Sequence, residues 1–276
     1  MNNQISQIVE YLQSELEPFT KVVWLLGSFL RNDFSKESDI DLTVITNSDS
    51  DVLKVNSKIP ILSQRLEREV DITNFSIEDT NRKVMFNDYL LASLLEEEKY
   101  LFGDERFLKE IKENIFSKMP DEESIKYNLF EGIQTLDMAV IAFDNFKYYL
   151  RRMFRKTSTE PKELAEKVIN DRFDSISFNR ESKDIDLSIA ESYLLQTVRN
   201  SVFAVGYVVA TNKMKDLKRT ISLRDMKGQT NTVEEKLFNE LFLYEKHCKR
   251  AMEIDPSLVE KYLIASTYVF RKQFGL

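Results

Sequence analysis

The stretch GSFLRNDFSKESDIDLTVI, residues 27–45, decides how the first part of this chain folds. Lys21 to Leu26 (KVVWLL) before it and Asp39 to Thr46 (DIDLTVIT) at its end are short, apolar and β-branched, so two strands are expected around a Gly27-Ser28 turn. Successive side chains on a strand point to opposite faces. Asp39 and Asp41 therefore share one face while Ile40 and Leu42 enter the core. The ten residues between Ser28 and Asp39 leave room for a short helix over about 28–34 and a polar turn at Ser35-Lys36-Glu37-Ser38.

This pattern carries a definite chemistry. A Gly-Ser turn that opens a helix offers backbone N–H groups, a hydroxyl and a positive dipole end, all of which attract a polyphosphate. Two carboxylates on one strand face suit Mg²⁺, a hard ion commonly held by one or two carboxylates together with substrate phosphates. A third acid would complete a centre for two ions. Asp71 is the best placed, in the strand-like run Glu69 to Phe75 (EVDITNF), where Val70 and Ile72 alternate with Asp71 and Thr73. If that run pairs beside Asp39 to Thr46, Asp71 joins the acidic face, and the metals bridge the carboxylates and nucleotide phosphates.

The chain also contains a control. Asp184-Ile185-Asp186-Leu187 repeats the tetrapeptide Asp39-Ile40-Asp41-Leu42 with no Gly-Ser or apolar strand upstream, and is expected to start a helix, with acids near the positive dipole end.

Gly27-Ser28, ten residues, Asp39-x-Asp41, apolar strands on both sides and Asp71 later resemble the polymerase beta-like nucleotidyltransferase superfamily. The likeness is to its small bacterial branch, which includes the aminoglycoside and lincosamide nucleotidyltransferases. Arg31 stands where many of these sequences carry an arginine, Ser38 matches the serine of their Ser-Asp-Ile-Asp, and Tyr100-Leu101-Phe102-Gly103 is similar to the strand ending that often closes the domain. The resemblance implies transfer of a nucleoside monophosphate, with ATP as the default donor, to a hydroxyl of a small acceptor such as an antibiotic. Gly27, Ser28, Arg31 and Ser38 would bind the nucleotide, and Asp39, Asp41 and Asp71 would hold the metal. A toxin-like enzyme modifying tRNA or protein, and a catalytically silent nucleotide-binding module, are the alternatives. A helical ribonuclease of the kind paired with such domains usually shows an arginine a few residues before a histidine, and Glu240 to Leu243, before His247, contain none.

Composition sets outer limits. The 276 residues suffice for two domains, and 42% hydrophobic with 31% charged residues describe a globular chain. The apolar runs fall short of a bilayer span and the amino terminus is polar-amphipathic, so a cytoplasmic setting is expected. A net charge of −7 argues against tight duplex DNA binding. One cysteine, Cys248, and one histidine, His247, exclude a Cys/His zinc site; as helix neighbours they point about 100° apart and are read as ordinary positions, not a nucleophile and its base.

Periodicity predicts an α+β architecture: a small mixed sheet flanked by helices over residues 1–118, the nucleotidyltransferase part, then an α-helical bundle over 119–276 that binds the acceptor or a partner. In the first part, helices are expected at Gln4–Leu16, ended by Pro18, at Asp51–Arg68, interrupted at Pro60, at Asn81–Glu97 and at Asp104–Phe116, with a strand at Lys99–Phe102. Pro120 marks the boundary and Asp121 caps the next helix. That long helix, at Glu122–Lys156, is apolar on most faces with Leu129, Ile133, Leu136, Val140, Phe143 and Tyr149, and should be central. Helices near 160–171, 187–212, 232–253 and 256–273 complete the bundle, started by Ser188, Thr232 and Asp255-Pro256.

On the long helix, Asp137, Asp144 and Arg151 fall seven apart, with Gln134 and Tyr148 adjacent. Asp137 on such a stripe could act as a general base toward an acceptor hydroxyl, or the stripe could be the solvated side. Arg151, Arg152, Arg155 and Lys156 admit a similar choice between a phosphate contact and dipole-complementing surface charge.

Overall fold

Three β-rich runs and a fourth short one do pair. The computed structural model describes residues 3–26, 39–96, 98–169, 185–251 and 254–276. Helix α1 (Asn3–Leu16) passes through a 3-10 turn containing Pro18 into β1 (Thr20–Leu25). Strand β2 (Ile40–Thr46), helix α2 (Asp49–Leu66) and strand β3 (Val70–Ser76) follow, then α3 (Ile77–Met85), α4 (Tyr89–Glu96), β4 (Lys99–Gly103) and α5 (Glu105–Ser117). The sheet order is β3-β2-β1-β4. Strands β2 and β3 are parallel, joined by the α2 crossover, and the remaining pairs are antiparallel, so the sheet is mixed as expected.

Both faces of this sheet are covered. Ile40, Leu42, Val44, Val70 and Ile72 pack with Leu12, Leu16, Val55 and Leu62 from α1 and α2. On the other face, Trp24, Ile45 and Phe75 pack with Leu91, Ala92 and Leu95 of α4 and Leu108, Ile111 and Ile115 of α5. The Trp24 indole donates to the Leu94 carbonyl at 3.1 Å, so its buried N–H is satisfied.

Two helices differ from the periodic reading. Helix α2 runs unbroken through Pro60. Pro60 and Asn56, whose carbonyl loses its donor, are both exposed, so water can replace the missing bond. The run expected as one helix over Asn81–Glu97 is two, because Asn87 takes a left-handed φ of 51° and Asp88 starts α4 by accepting from the Leu91 N–H at 2.8 Å. Asp88 is fully buried and pairs with buried Lys83 at 3.4 Å, whose ammonium lies over the Phe75 ring.

The chain divides into two units, residues 1–125 with 214–225, and residues 126–213 with 226–276. The returning segment closes the end of α5. The Asn87 amide donates to the carbonyls of Ile115 and Lys118, both at 3.0 Å, and Thr220 Oγ1 donates to Ile115 at 2.6 Å. These are carbonyls left without helical partners. Leu223 N–H also donates to Ser93 Oγ at 2.8 Å, Ser222 bonds Glu96, and Ile221 is buried.

The second unit is helical: α6 (Glu122–Thr157), α7 (Pro161–Ile169), α8 (Ile185–Leu217), the one-turn α9 (Leu223–Met226), α10 (Val233–Ala251) and α11 (Pro256–Phe274), of which α9 and the ends of α6 and α8 reach into the first unit's segments. Helix α8 starts three residues before Ser188, so Ser188 is not its start signal. Thr232 and Glu235 form a reciprocal capping box on α10, and Asp255 caps α11. The core side of α6 is Ala139, Phe143, Phe146, Leu150 and Phe154; Ile133 and Val140, expected inside, are exposed together with Phe130 and Ile141.

Gly103 ends β4 at φ +98°, and a Cβ there would stand 2.5 Å from the Lys21 carbonyl oxygen. Gly103→Ala should lower unfolding stability by about 1–3 kcal/mol from backbone strain alone, read as a reduced urea midpoint; an unchanged midpoint would refute the close approach. A fragment ending at residue 125 lacks Thr220 to Leu223 and should exchange the amide hydrogens of α5 faster than the full chain does, at about 1–3 kcal/mol per buried group left unpaired.

Candidate functional site

Parallel register brings two of the three expected carboxylates side by side. Asp41 of β2 pairs with Asp71 of β3, so their Cα atoms stand about one strand spacing apart, about 4.8 Å, with side chains on one face. That face is the one carrying Trp24, Ile45 and Phe75, since the even-numbered Ile40, Leu42, Val70 and Ile72 fill the opposite core. Both acids are half-buried, at the end of the sheet. Asp39, also half-buried, directly precedes β2, about two residues' rise from Asp41, or about 6.6 Å. The sequence itself carries a signal of this register: Asp41-Leu42-Thr43 and Asp71-Ile72-Thr73 repeat one pattern.

The same end of the sheet receives the end of β1. Leu26 N–H donates to the Asp41 carbonyl at 2.9 Å, and Ile40 N–H to the Glu69 carbonyl at 2.9 Å. Leu26, the residue after β1, thus stands directly opposite Asp41. Gly27, Ser28, Arg31 and Ser38, with the short helix and polar turn expected over 28–38, lie outside the described residues.

As a donor set, three carboxylates fit a hard divalent cation. Among the described residues no three metal-ligating side chains stand close enough together to enclose an ion. The backbone register sets Asp41 beside Asp71.

Asp137, the expected general base, is exposed on α6 in the second unit, as are Gln134, Asp144, Tyr148 and Arg151. The stripe is not purely polar, because exposed Phe130, Ile133 and Ile141 share it. Of the basic group, Lys156 bonds Asp186 and Arg152 approaches it at 3.6 Å. Asp186 is 3% exposed in the first turn of α8, near a helix start as expected, and its carboxylate meets cations of α6, while Asp184 lies outside the described residues. Phe143 and Phe146 are core, and Tyr149 stacks on Tyr193 at 5.7 Å.

Cys248 is buried on α10, and burial pushes its thiol up to about 11 despite a hydrogen bond from Tyr244, whose own phenol burial raises as well. The exposed His247 beside it is no base for a thiolate. Alkylation of Cys248 in the folded protein should be slow at neutral pH and rise about tenfold per pH unit until pH approaches 11; rapid modification by iodoacetamide at neutral pH would contradict this environment.

Residues 6–99 match the family model described as "Polymerase beta, Nucleotidyltransferase". No curated protein matches the chain. Among solved structures, a toxin-antitoxin with AMP-PNP is 18% identical, covering 42% of this chain and 84% of that one at a TM-score of 0.30. A nucleotidyltransferase-like protein from Exiguobacterium sibiricum is 12% identical, covering 98% and 75% at 0.32. Spectinomycin adenyltransferase AAD(9) from Enterococcus faecialis, with ATP and spectinomycin, is 13% identical, covering 77% and 98% at 0.29.

Proposed function

We propose, from the premise that residues 6–99 of this chain are a polymerase beta-type nucleotidyltransferase domain, that the protein moves AMP from ATP onto a hydroxyl of a small acceptor. The observation that carries the proposal is the matched placement of Asp41 and Asp71, with Leu26 after β1 bonded to the Asp41 carbonyl.

In the reaction, the acceptor oxygen forms a bond to the α-phosphorus, the bond from that phosphorus to the bridging oxygen of the β-phosphate breaks, and pyrophosphate leaves. Gly27 and Ser28 hold the β- and γ-phosphates, while Arg31 and Ser38 make further nucleotide contacts. Asp39 and Asp41 would hold two magnesium ions and Asp71 one of them. When bound, the ions supply positive charge against the triphosphate and lower the basicity of the acceptor oxygen. Asp71 also helps to accept the hydroxyl proton.

A small-molecule acceptor is favoured over tRNA or protein. The chain is acidic overall, and two of the four cations at the end of α6 are engaged by Asp186. Labelled ATP offered with cell extract tells a small labelled product from a macromolecular one.

The double variant Asp39→Asn, Asp41→Asn should release no pyrophosphate from ATP in the presence of an accepted hydroxyl compound, while its melting temperature stays within about 4 °C of the parent. Pyrophosphate release persisting in the folded double variant would remove these residues from the reaction.

A further inference from the structure

The carboxylate pair has a second row behind it. Next along each strand on the same face stand Thr43 and Thr73, and the parallel register pairs these two as well. The four positions form a rectangle about 4.8 Å across the strands and about 6.6 Å along them. Thr43 is 0% exposed, between register partners Trp24 and Thr73, and its Oγ1 has no hydrogen-bond partner. A buried hydroxyl without a partner destabilises the fold, and a valine of the same shape would fill the position without that penalty. The resting structure gives the hydroxyl nothing to do.

We propose that Thr43 is a positioning residue, whose hydroxyl donates to the Asp41 carboxylate when the acids draw together on a divalent cation, with Thr73 in the equivalent place behind Asp71. The inference rests on the nucleotidyl-transfer reading above. Side chains on a strand lean along it, so the carboxylate of one row reaches the hydroxyl of the next directly or through one water. A donor behind a metal-binding carboxylate fixes which oxygen faces the ion, and loss of such a partner weakens metal binding or activity by about 10–100-fold. Thr43 would thus trade stability of the free protein for order in the loaded one.

The opposing effects provide the test. Thr43→Val and Thr43→Ser are compared with the parent by thermal denaturation without metal, by calorimetric titration with Mn²⁺ in the presence of a non-hydrolysable ATP analogue, and by pyrophosphate release. Thr43→Val should keep its melting temperature or gain about 2–4 °C, bind Mn²⁺ about tenfold more weakly, and lose kcat with little change in KM for ATP. Thr43→Ser, which keeps the donor, should recover the Mn²⁺ affinity. Unaltered Mn²⁺ affinity in Thr43→Val overturns the inference, as does a fall in melting temperature with affinity restored in neither variant, which marks packing alone. A parent protein that binds no Mn²⁺ removes the nucleotidyl-transfer reading itself, whereas a parent that binds alongside an unchanged Thr43→Val removes only the role of Thr43.

Discussion

The parallel pairing of β2 with β3 is the constraint on which the candidate centre depends. Seven residue pairs, from Ile40 with Val70 to Thr46 with Ser76, fix Asp41 opposite Asp71. Burial on both sides holds that register: Ile40, Leu42, Val70 and Ile72 lie against α1 and α2, while Ile45 and Phe75 lie against the other helical layer. A slip by one residue would turn Asp71 toward the apolar core and Ile72 toward the site. The acids are thus positioned by their apolar neighbours, and the α2 crossover that a parallel pair requires is part of the same device.

The other sheet face depends on a second, less local constraint. Helix α5 contributes Leu108, Ile111 and Ile115 to the layer over Trp24, and its terminal carbonyls are met by Asn87 and by Thr220. Asn87 can do this because its left-handed backbone breaks α3 from α4 and directs the amide into the interior, where Ser124 and Thr220 complete its bonds. Residues separated by more than 100 positions therefore stabilise one helix end, and the first unit is continuous in space but not in sequence.

How much of this was legible depends on the range over which each signal acts. The strands around Asp39-x-Asp41 and Asp71 could be read because alternation and β-branching are local, and the caps at Asp121, Thr232 and Asp255 because they depend on three or four neighbouring residues. Asn87 was invisible, since Val84, Leu91 and Leu95 keep apolar spacing across the break. Pro60 was misleading because its cost depends on exposure, which periodicity does not report. The return of residues 214–225 has no local pattern at all. On α6 the apolar residues are too evenly spread for the sequence to say which face is covered, and Ile133 and Val140 proved to be outside. At the site, the acids were legible as types and spacing, and their adjacency only through the repeated Asp-x-Thr pattern of two strands.

The two copies of Asp-Ile-Asp-Leu show why spacing alone could not have been enough. On β2, alternation separates Asp41 from its apolar neighbours, and the parallel strand sets Asp71 at its side. On α8 Asp186 turns with the helix and is buried against Lys156 and Arg152 of α6. Its charge is met within the protein by opposite charges. The difference lies in what the surrounding backbone brings alongside: a like charge in the first case and opposite charges in the second. An acid stands beside an acid at the end of the sheet because parallel register puts it there, and beside cations on α8 because the helix turns it toward α6.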